Sequence, residues 1–315
     1  MTITNTEHFG IQRKIVANMT SQSWHDIPHV SYLYEADASD FLSVFSILNS
    51  KRNKTERVSL NTLSLKIISE GLKAAPQMNA HIDFNKKLVR GRIDTIEEID
   101  ISMPMILPNG KMMTVNLKDF GNKSLDEMTC YINDVRRRAL NTNLDEAMFD
   151  VSFRDTIKAL IKGDFKKAFY RLIGSKTGKH KVKTLSGKER AEYLKIPEGD
   201  RLTYKDLEQG TVTISNIGSV CRSEHGMPTL IEIIPPQVSA FAVGSVCEKP
   251  VIRKNEKGDS HVEVGKVLPI AICFDHRALD FGDIVPFIKR LDEIFSTPEI
   301  LLEWMGENNV STEAA

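Results

Sequence analysis

Cysteine is scarce, and what there is has no pattern. Cys130, Cys221, Cys247 and Cys273 are the four in 315 residues, and no two share a CxxC spacing. Neither a zinc site nor a disulfide framework is suggested; reduced, packed side chains are expected. Net charge is missing too, because 42 lysines and arginines meet 42 aspartates and glutamates. That excludes a surface built throughout to grip nucleic acid or an anionic membrane, although not a local patch. No apolar run approaches the roughly 20 residues needed to span a bilayer; the longest lie near Val238–Val246 and Val267–Phe274. The N-terminus, MTITNTEHFG, lacks a basic region followed by an apolar run, so no signal peptide is expected and the expected compartment is the cytoplasm. There is no internal repeat, no low-complexity tract and no GxSxG nucleophile elbow.

What is present is an ordinary globular balance, 27% charged and 41% apolar, in a chain long enough to bury a substantial core. His29–Tyr34 is a short β-rich run. Asp37–Leu48 has helical apolar spacing, with Asp37, Ser39 or Asp40 as cap. Leu60–Ala75 is a second helical stripe, stopped by Pro76. Strands are expected at Lys87–Val89, Ile99–Met105 and Lys111–Val115, with Asn109-Gly110 as a hairpin turn between the last two. Ser124–Leu140 is an amphipathic helix. Gly210–Ile217 alternates as a strand, and the two longest apolar runs have the character of buried central strands. A helix follows over Gly282–Phe295. Helices and strands mix without the strict alternation of a doubly wound sheet.

Charge is concentrated in one place. Between Val151 and Arg190 there are twelve Lys/Arg against three Asp/Glu. The first half of that stretch (Phe153, Ile157, Leu160, Ile161, Phe165, Phe169, Leu172, Ile173) has helical apolar spacing. The second, GSKTGKHKVKTLSGK, reads as a basic loop.

Two places could carry chemistry. In PIAICFDHRALDFGD, His276 stands where a buried strand emerges into a turn, and an imidazole can exchange protons near neutral pH. Asp280, four residues on, could cap the next helix or hold groups around the imidazole; spacing alone does not choose. In GTVTISNIG, Ser215 lies near the end of a strand that stops at a glycine, so its hydroxyl could face a cleft and donate to a developing oxyanion, or simply bond to its neighbours. His25 and His29 are expected to be structural, and the Met103–Met113 stretch to pack in the core.

Taken together, these residues carry a resemblance. DHRALDFG at Asp275–Gly282 resembles the DHRxxDG signature of the catalytic domain of dihydrolipoamide acyltransferases, the acyltransferase components of 2-oxoacid dehydrogenase complexes and relatives of chloramphenicol acetyltransferase. GTVTISNIG resembles that family's GTFTISNLG. Met227–Gly244 follows its FTPIINPPQVAILGVG, Ile11–Tyr32 its R-x-x-I-A-x-x-M…IPH entry, and Leu65–Ala80 its helix ending in P-x-x-N-A. The resemblance implies an α/β fold in a single domain over 1–315: a chloramphenicol acetyltransferase-like mixed sheet flanked by helices, a two-layer sandwich that assembles as a trimer or something built from trimers. It implies coenzyme A-dependent acyl transfer to a thiol. His276 would be the general base, Ser215 the oxyanion donor, and Asp280 the carboxylate that pairs with an arginine, for which Arg13 is the candidate. His276 and Ser215 would meet from different chains. Exchange of one thioester for another is nearly isoenergetic, so neither a metal nor a redox cofactor is expected.

Three features depart from the family. Phe281 replaces the motif glycine, which puts a ring in the channel wall. No lipoyl domain or proline/alanine-rich linker precedes Ile11, so a lipoyl group would arrive on a separate protein or the acceptor is not lipoyl at all. The resemblance lapses over about 138–188, the basic insertion; 151–190 is either a solvated face or a dock for an acidic carrier or lipoyl domain or for coenzyme A phosphates, a membrane-surface helix being the weaker reading. The rivals are an O- or N-acetyltransferase of the chloramphenicol type acting on a small acceptor, and a non-catalytic scaffold or regulatory relative.

Overall fold

A computed structural model describes residues 2–107, 110, 112–161, 163–178, 181–182, 184–222, 226–255 and 257–305. Asn109 of the expected turn, residues 179, 180 and 183 of the expected basic loop, and the side chain of Leu172 lie outside the described residues. In chain order the elements are α1 (Ile11–Asp26), β1 (His29–Asp37), α2 (Ser39–Ser50), α3 (Leu60–Ala74), β2 (Ala80–Asn85), β3 (Arg90–Thr95), β4 (Ile101–Ile106), β5 (Met112–Leu117), α4 (Leu125–Leu140), α5 (Leu144–Ile161), α6 (Phe165–Lys176), α7 (Gly187–Leu194), α8 (Tyr204–Leu207), β6 (Val212–Asn216), β7 (Ser239–Val243), β8 (Cys247–Lys254), β9 (Ser260–Asp275), α9 (Phe281–Ser296) and α10 (Ile300–Trp304).

Seven strands form one mixed sheet in the order β1-β9-β7-β6-β4-β5, with β8 paired to β9 outside that path. β4, β6 and β7 run parallel; the other pairs are antiparallel. β9 is the backbone of the arrangement. Its first half makes a two-stranded ribbon with β8, and its second half is sandwiched between β1 and β7. The apolar run predicted at Val267–Phe274 is that second half, buried on both faces.

The two faces are covered differently. On one, α3 and α9 pack through Leu65, Ile68 and Leu72 against Ile284, Phe287 and Leu291, all essentially inaccessible. Phe287 stacks on Phe241 of β7 at 5.0 Å between ring centroids. Gly71 of α3 permits this approach, since a Cβ there would stand 2.5 Å from the Phe287 ring. Burying a side chain of that size favours the fold by about 1.5–3 kcal/mol. On the other face Ala240, Ala242, Ala271 and Cys273 keep the sheet low, so that Ile233 and Ile27 pack flat on it.

Some local expectations need correction. Residues 87–89 are no strand; they form the turn between β2 and β3, with Val89 at φ 49°. That hairpin escapes the period-2 test because β3 is exposed along its whole length. Ala38 occupies the N-cap of α2, and Asp37, one place earlier, accepts hydrogen bonds from the backbone N–H and hydroxyl of Ser39 at 3.1 and 2.6 Å. The first half of the basic stretch is two helices, α5 and α6. In the methionine-rich stretch, Met103 and Met113 are buried as expected, whereas Met112 is exposed.

Candidate active site

The chain turns sharply where β9 ends. Asp275, fully buried, donates its backbone N–H to the Val238 carbonyl at 2.9 Å, and its own carbonyl accepts from Ala278 and Leu279 at 2.9 and 3.0 Å. Its carboxylate is gripped by Arg277: the backbone N–H at 2.9 Å, Nε at 3.0 and 3.1 Å, and a terminal nitrogen at 2.6 Å. A buried charge of this kind is tolerated only when it is paired and hydrogen-bonded. Sequence reasoning passed over this pair; an aspartate closing a wholly apolar strand was the available signal.

The turn presents His276. Its backbone N–H donates to the Pro28 carbonyl at 3.1 Å, and its Nδ1 lies 3.1 Å from the Leu279 carbonyl and 3.4 Å from Oδ1 of Asp280. A carbonyl oxygen can only accept. Nδ1 must therefore carry the proton, which leaves the Nε2 lone pair free in the neutral ring. The imidazole stands edge-on to Phe274, with ring centroids 6.1 Å apart, and Phe281 meets the same Phe274 ring at 5.4 Å. Phe281 opens α9 with its ring half exposed. The position so occupied needs no glycine here, since the backbone at Phe281 is outside the left-handed region.

Ser215 sits elsewhere. Its β6 register places it beside Ala242, which faces Ala271 of β9, and His276 is five residues further on, just past the end of β9. At about 3.3 Å per residue and about 4.8 Å per strand, serine and histidine of one chain stand roughly 19 Å apart. Arg13 lies near the start of α1, exposed and without an ion pair among the described residues. Its neighbour Gln12 donates to the Met112 carbonyl of β5, which pairs with Ile106 at Ser215's end of the sheet. The far end of α1 leads into β1 beside His276, about 20 Å of helix away. Thus His276 and Asp280 come together at one end of the sheet, and Ser215 and Arg13 lie toward the other.

The backbone packs closely just beyond Ser215. Gly218, three residues on, abuts Gly244, and a Cβ on Gly218 would lie 2.4 Å from the Gly244 carbonyl oxygen. His29 is structural, as expected. Its Nδ1 is 2.9 Å from the Ile27 carbonyl, while Nε2 lies 3.1 Å from both the Ser23 hydroxyl and the Ile233 N–H that donates to it. His25 instead lines a cavity of about 650 Å³ beside Arg277, together with Trp24, Asp26, Asp83 and Lys86. That lining carries two carboxylates, Asp26 and Asp83, and two cations, Lys86 and Arg277. Burial pushes the Cys273 thiol up, which keeps it an inert packed side chain. Among the described residues, no helix is long and apolar enough to cross a membrane, and no cluster of His, Cys, Asp and Glu is placed to hold a metal.

Comparison with known proteins supplies the context. The family model described as 2-oxoacid dehydrogenases acyltransferase (catalytic domain) matches residues 2–153 and 181–303. The dihydrolipoyllysine-residue acetyltransferase component of the Rickettsia felis pyruvate dehydrogenase complex is 19% identical over 293 residues, 92% of this chain and 53% of that protein. The chain thus spans about half the length of such relatives. A probable dihydrolipoamide acetyltransferase from Listeria monocytogenes superposes with TM-score 0.61 at 18% identity, over 96% of this chain and 97% of that one. The Azotobacter vinelandii dihydrolipoamide acetyltransferase gives 0.62 at 16% identity, over 96% and 94%. That structure was used to investigate a serine, a histidine and an asparagine in its catalytic mechanism.

Proposed function

The chain belongs to the family of 2-oxoacid dehydrogenase acyltransferase catalytic domains, and from that premise we propose that it moves an acyl group between coenzyme A and a thiol acceptor, lipoyl or carrier-bound. One observation carries the proposal: the Leu279 carbonyl fixes the His276 tautomer with a free Nε2, which is what a general base requires and a scaffold does not. A thiol with its ordinary pKa near 8.5 is mostly protonated at neutral pH. Nε2 takes the S–H proton as sulfur attacks the thioester carbonyl. The tetrahedral oxyanion accepts a hydrogen bond from the Ser215 hydroxyl. Collapse breaks the old carbon–sulfur bond, and the departing thiolate recovers the proton from Nε2. Asp280, 3.4 Å from Nδ1, favours the transient imidazolium.

The separation of Ser215 from His276 supports a site shared between subunits of a trimer or a trimer-based assembly, in which Ser215 and Arg13 of one chain face His276 and Asp280 of the next. The insertion at about 138–188 belongs to the same single domain in this reading, which also takes the cytoplasm as the compartment. Acyl transfer from acetyl-CoA to dihydrolipoamide tests the proposal. His276→Ala should lower the rate by about 10²–10⁴-fold. Mixed trimers of His276→Ala and Ser215→Ala chains should recover activity, because some boundaries then hold both intact residues. Wild type and mutant equally inactive across acyl donors and acceptors would support the scaffold rival. Turnover of small alcohols or amines, without turnover of thiols, would support the chloramphenicol-type rival.

A further inference from the structure

The α5–α6 pair presents a face that no described residue covers. Leu160, Phe165 and Phe169 are 38%, 69% and 60% exposed. With Ala168 and Lys166 they line a shallow groove of about 480 Å³. Exposed rings grouped in this way mark a contact surface more often than chance. The groove lies in the 154–180 gap of the family match, so the shared fold does not account for it. Its surroundings are basic, within a stretch of twelve Lys/Arg against three Asp/Glu. Lys158 and Lys166 are exposed and hold no ion pair among the described residues.

Position narrows the occupant. Lys14 Nζ donates to the Gly174 carbonyl of α6 at 2.7 Å, so α6 is tied to α1 one residue from Arg13, toward Ser215's end of the sheet. Phe169 is five residues from Gly174, about 7.5 Å of helix. A small thiol needs no dock there, whereas a carrier that brings its thiol on a flexible arm does. We infer that the α5–α6 groove docks an acidic carrier domain, whose exposed apolar residues enter between Leu160, Phe165 and Phe169 while its carboxylates meet Lys158 and Lys166. The inference rests on the transfer reading above. Charges around the rim govern encounter and salt dependence, and the rings govern dwell time.

The test uses the full chain and, as probe, an isolated acidic lipoyl domain in its dihydrolipoyl form. Binding is read by calorimetry, and KM is measured for that domain and for free dihydrolipoamide. The variants are Lys158→Glu/Lys166→Glu and, separately, Phe165→Ser/Phe169→Ser. Each should weaken binding and raise KM for the domain by about tenfold or more, while KM and kcat for free dihydrolipoamide stay unchanged. Added salt should abolish the difference between wild type and the charge-reversed chain. Binding that is equal in wild type and variants, or absent up to about 1 mM domain, overturns the dock. So does variant-sensitive binding to anionic lipid vesicles without binding to the domain. If the wild type binds the domain through these residues but transfers no acyl group, the dock stands and the transfer reading fails.

Discussion

Replacing Asp280 by asparagine separates two ways of holding the catalytic imidazole. In this chain Nδ1 has two neighbours, the Leu279 carbonyl at 3.1 Å and the Asp280 carboxylate at 3.4 Å. The carbonyl is main chain and survives the substitution. The Asp280 side chain is 82% exposed in the single chain; if it stays solvated where it meets Arg13 of the next chain, an ion pair of that kind contributes about 0.2–1 kcal/mol. Since about 1.4 kcal/mol corresponds to tenfold, Asp280→Asn should lower kcat about fivefold at most. Asparagine caps helices as well as aspartate does, and the Asp280 N–H keeps its 2.7 Å bond to the Asp283 carboxylate, so the thermal midpoint should not move. The assay is acetyl transfer to dihydrolipoamide with the melting curve recorded on the same sample. A kcat loss of about 100-fold or more with an unchanged midpoint would refute the reasoning, since a screened charge cannot supply it. It would mean that the carboxylate is desolvated against a cation of a neighbouring chain, and Arg13→Ala would then reproduce the loss.

Arg277→Ala leaves the Asp275 carboxylate buried without its partner and should cost about 3–5 kcal/mol of stability by urea titration; adding Asp275→Asn should restore part of it, and no recovery would count against the pairing account. Gly218→Ala drives a Cβ into the Gly244 backbone, so a loss of about 1–3 kcal/mol is expected, accompanied by slower turnover because Ser215 shifts. Gly174→Ala, where a Cβ meets open space, should be neutral or stabilising. Ser215→Ala should leave the fold intact and lower kcat by about 10²–10³-fold. At Glu70 burial pushes the carboxyl up, but hydrogen bonds and charge from Lys73 and Lys66 outweigh it and hold it below the ordinary carboxylate range; at Lys66 burial wins instead and lowers the ammonium. A depressed carboxylate stabilises the fold above its unfolded pKa, and that contribution disappears as pH falls through the folded one. Urea midpoints of wild type and Glu70→Gln should therefore differ at pH 7 and converge in acid; a difference that persists unchanged at low pH would contradict this.

The elements legible in the sequence were those with a strong period and a clear stop. α3 ends before Pro76, α4 begins at the Ser124 cap, and α9 follows its apolar stripe to within two residues. The β2–β3 hairpin was not legible, because a strand exposed on both faces leaves no alternation to find. Within the site, His276, Asp280 and Ser215 were visible as residues, but their grouping across chains came only from the resemblance and not from pattern or spacing. Grouping depends on strand register, and the order β1-β9-β7-β6 joins segments more than two hundred residues apart. The tautomer was beyond reach for a related reason. It is set by a main-chain carbonyl, and any residue at position 279 supplies one.

The opposite placement of Ser215 and His276 along one sheet has a consequence for the cell. Under the shared-site reading, a solitary chain with every catalytic side chain intact is as inert as a mutant. Competence then belongs to the population, and activity per molecule should fall on dilution as subunits part. Newly made chains would stay silent until enough of them have accumulated to meet, so the register of β6, β7 and β9 makes catalysis a measure of abundance.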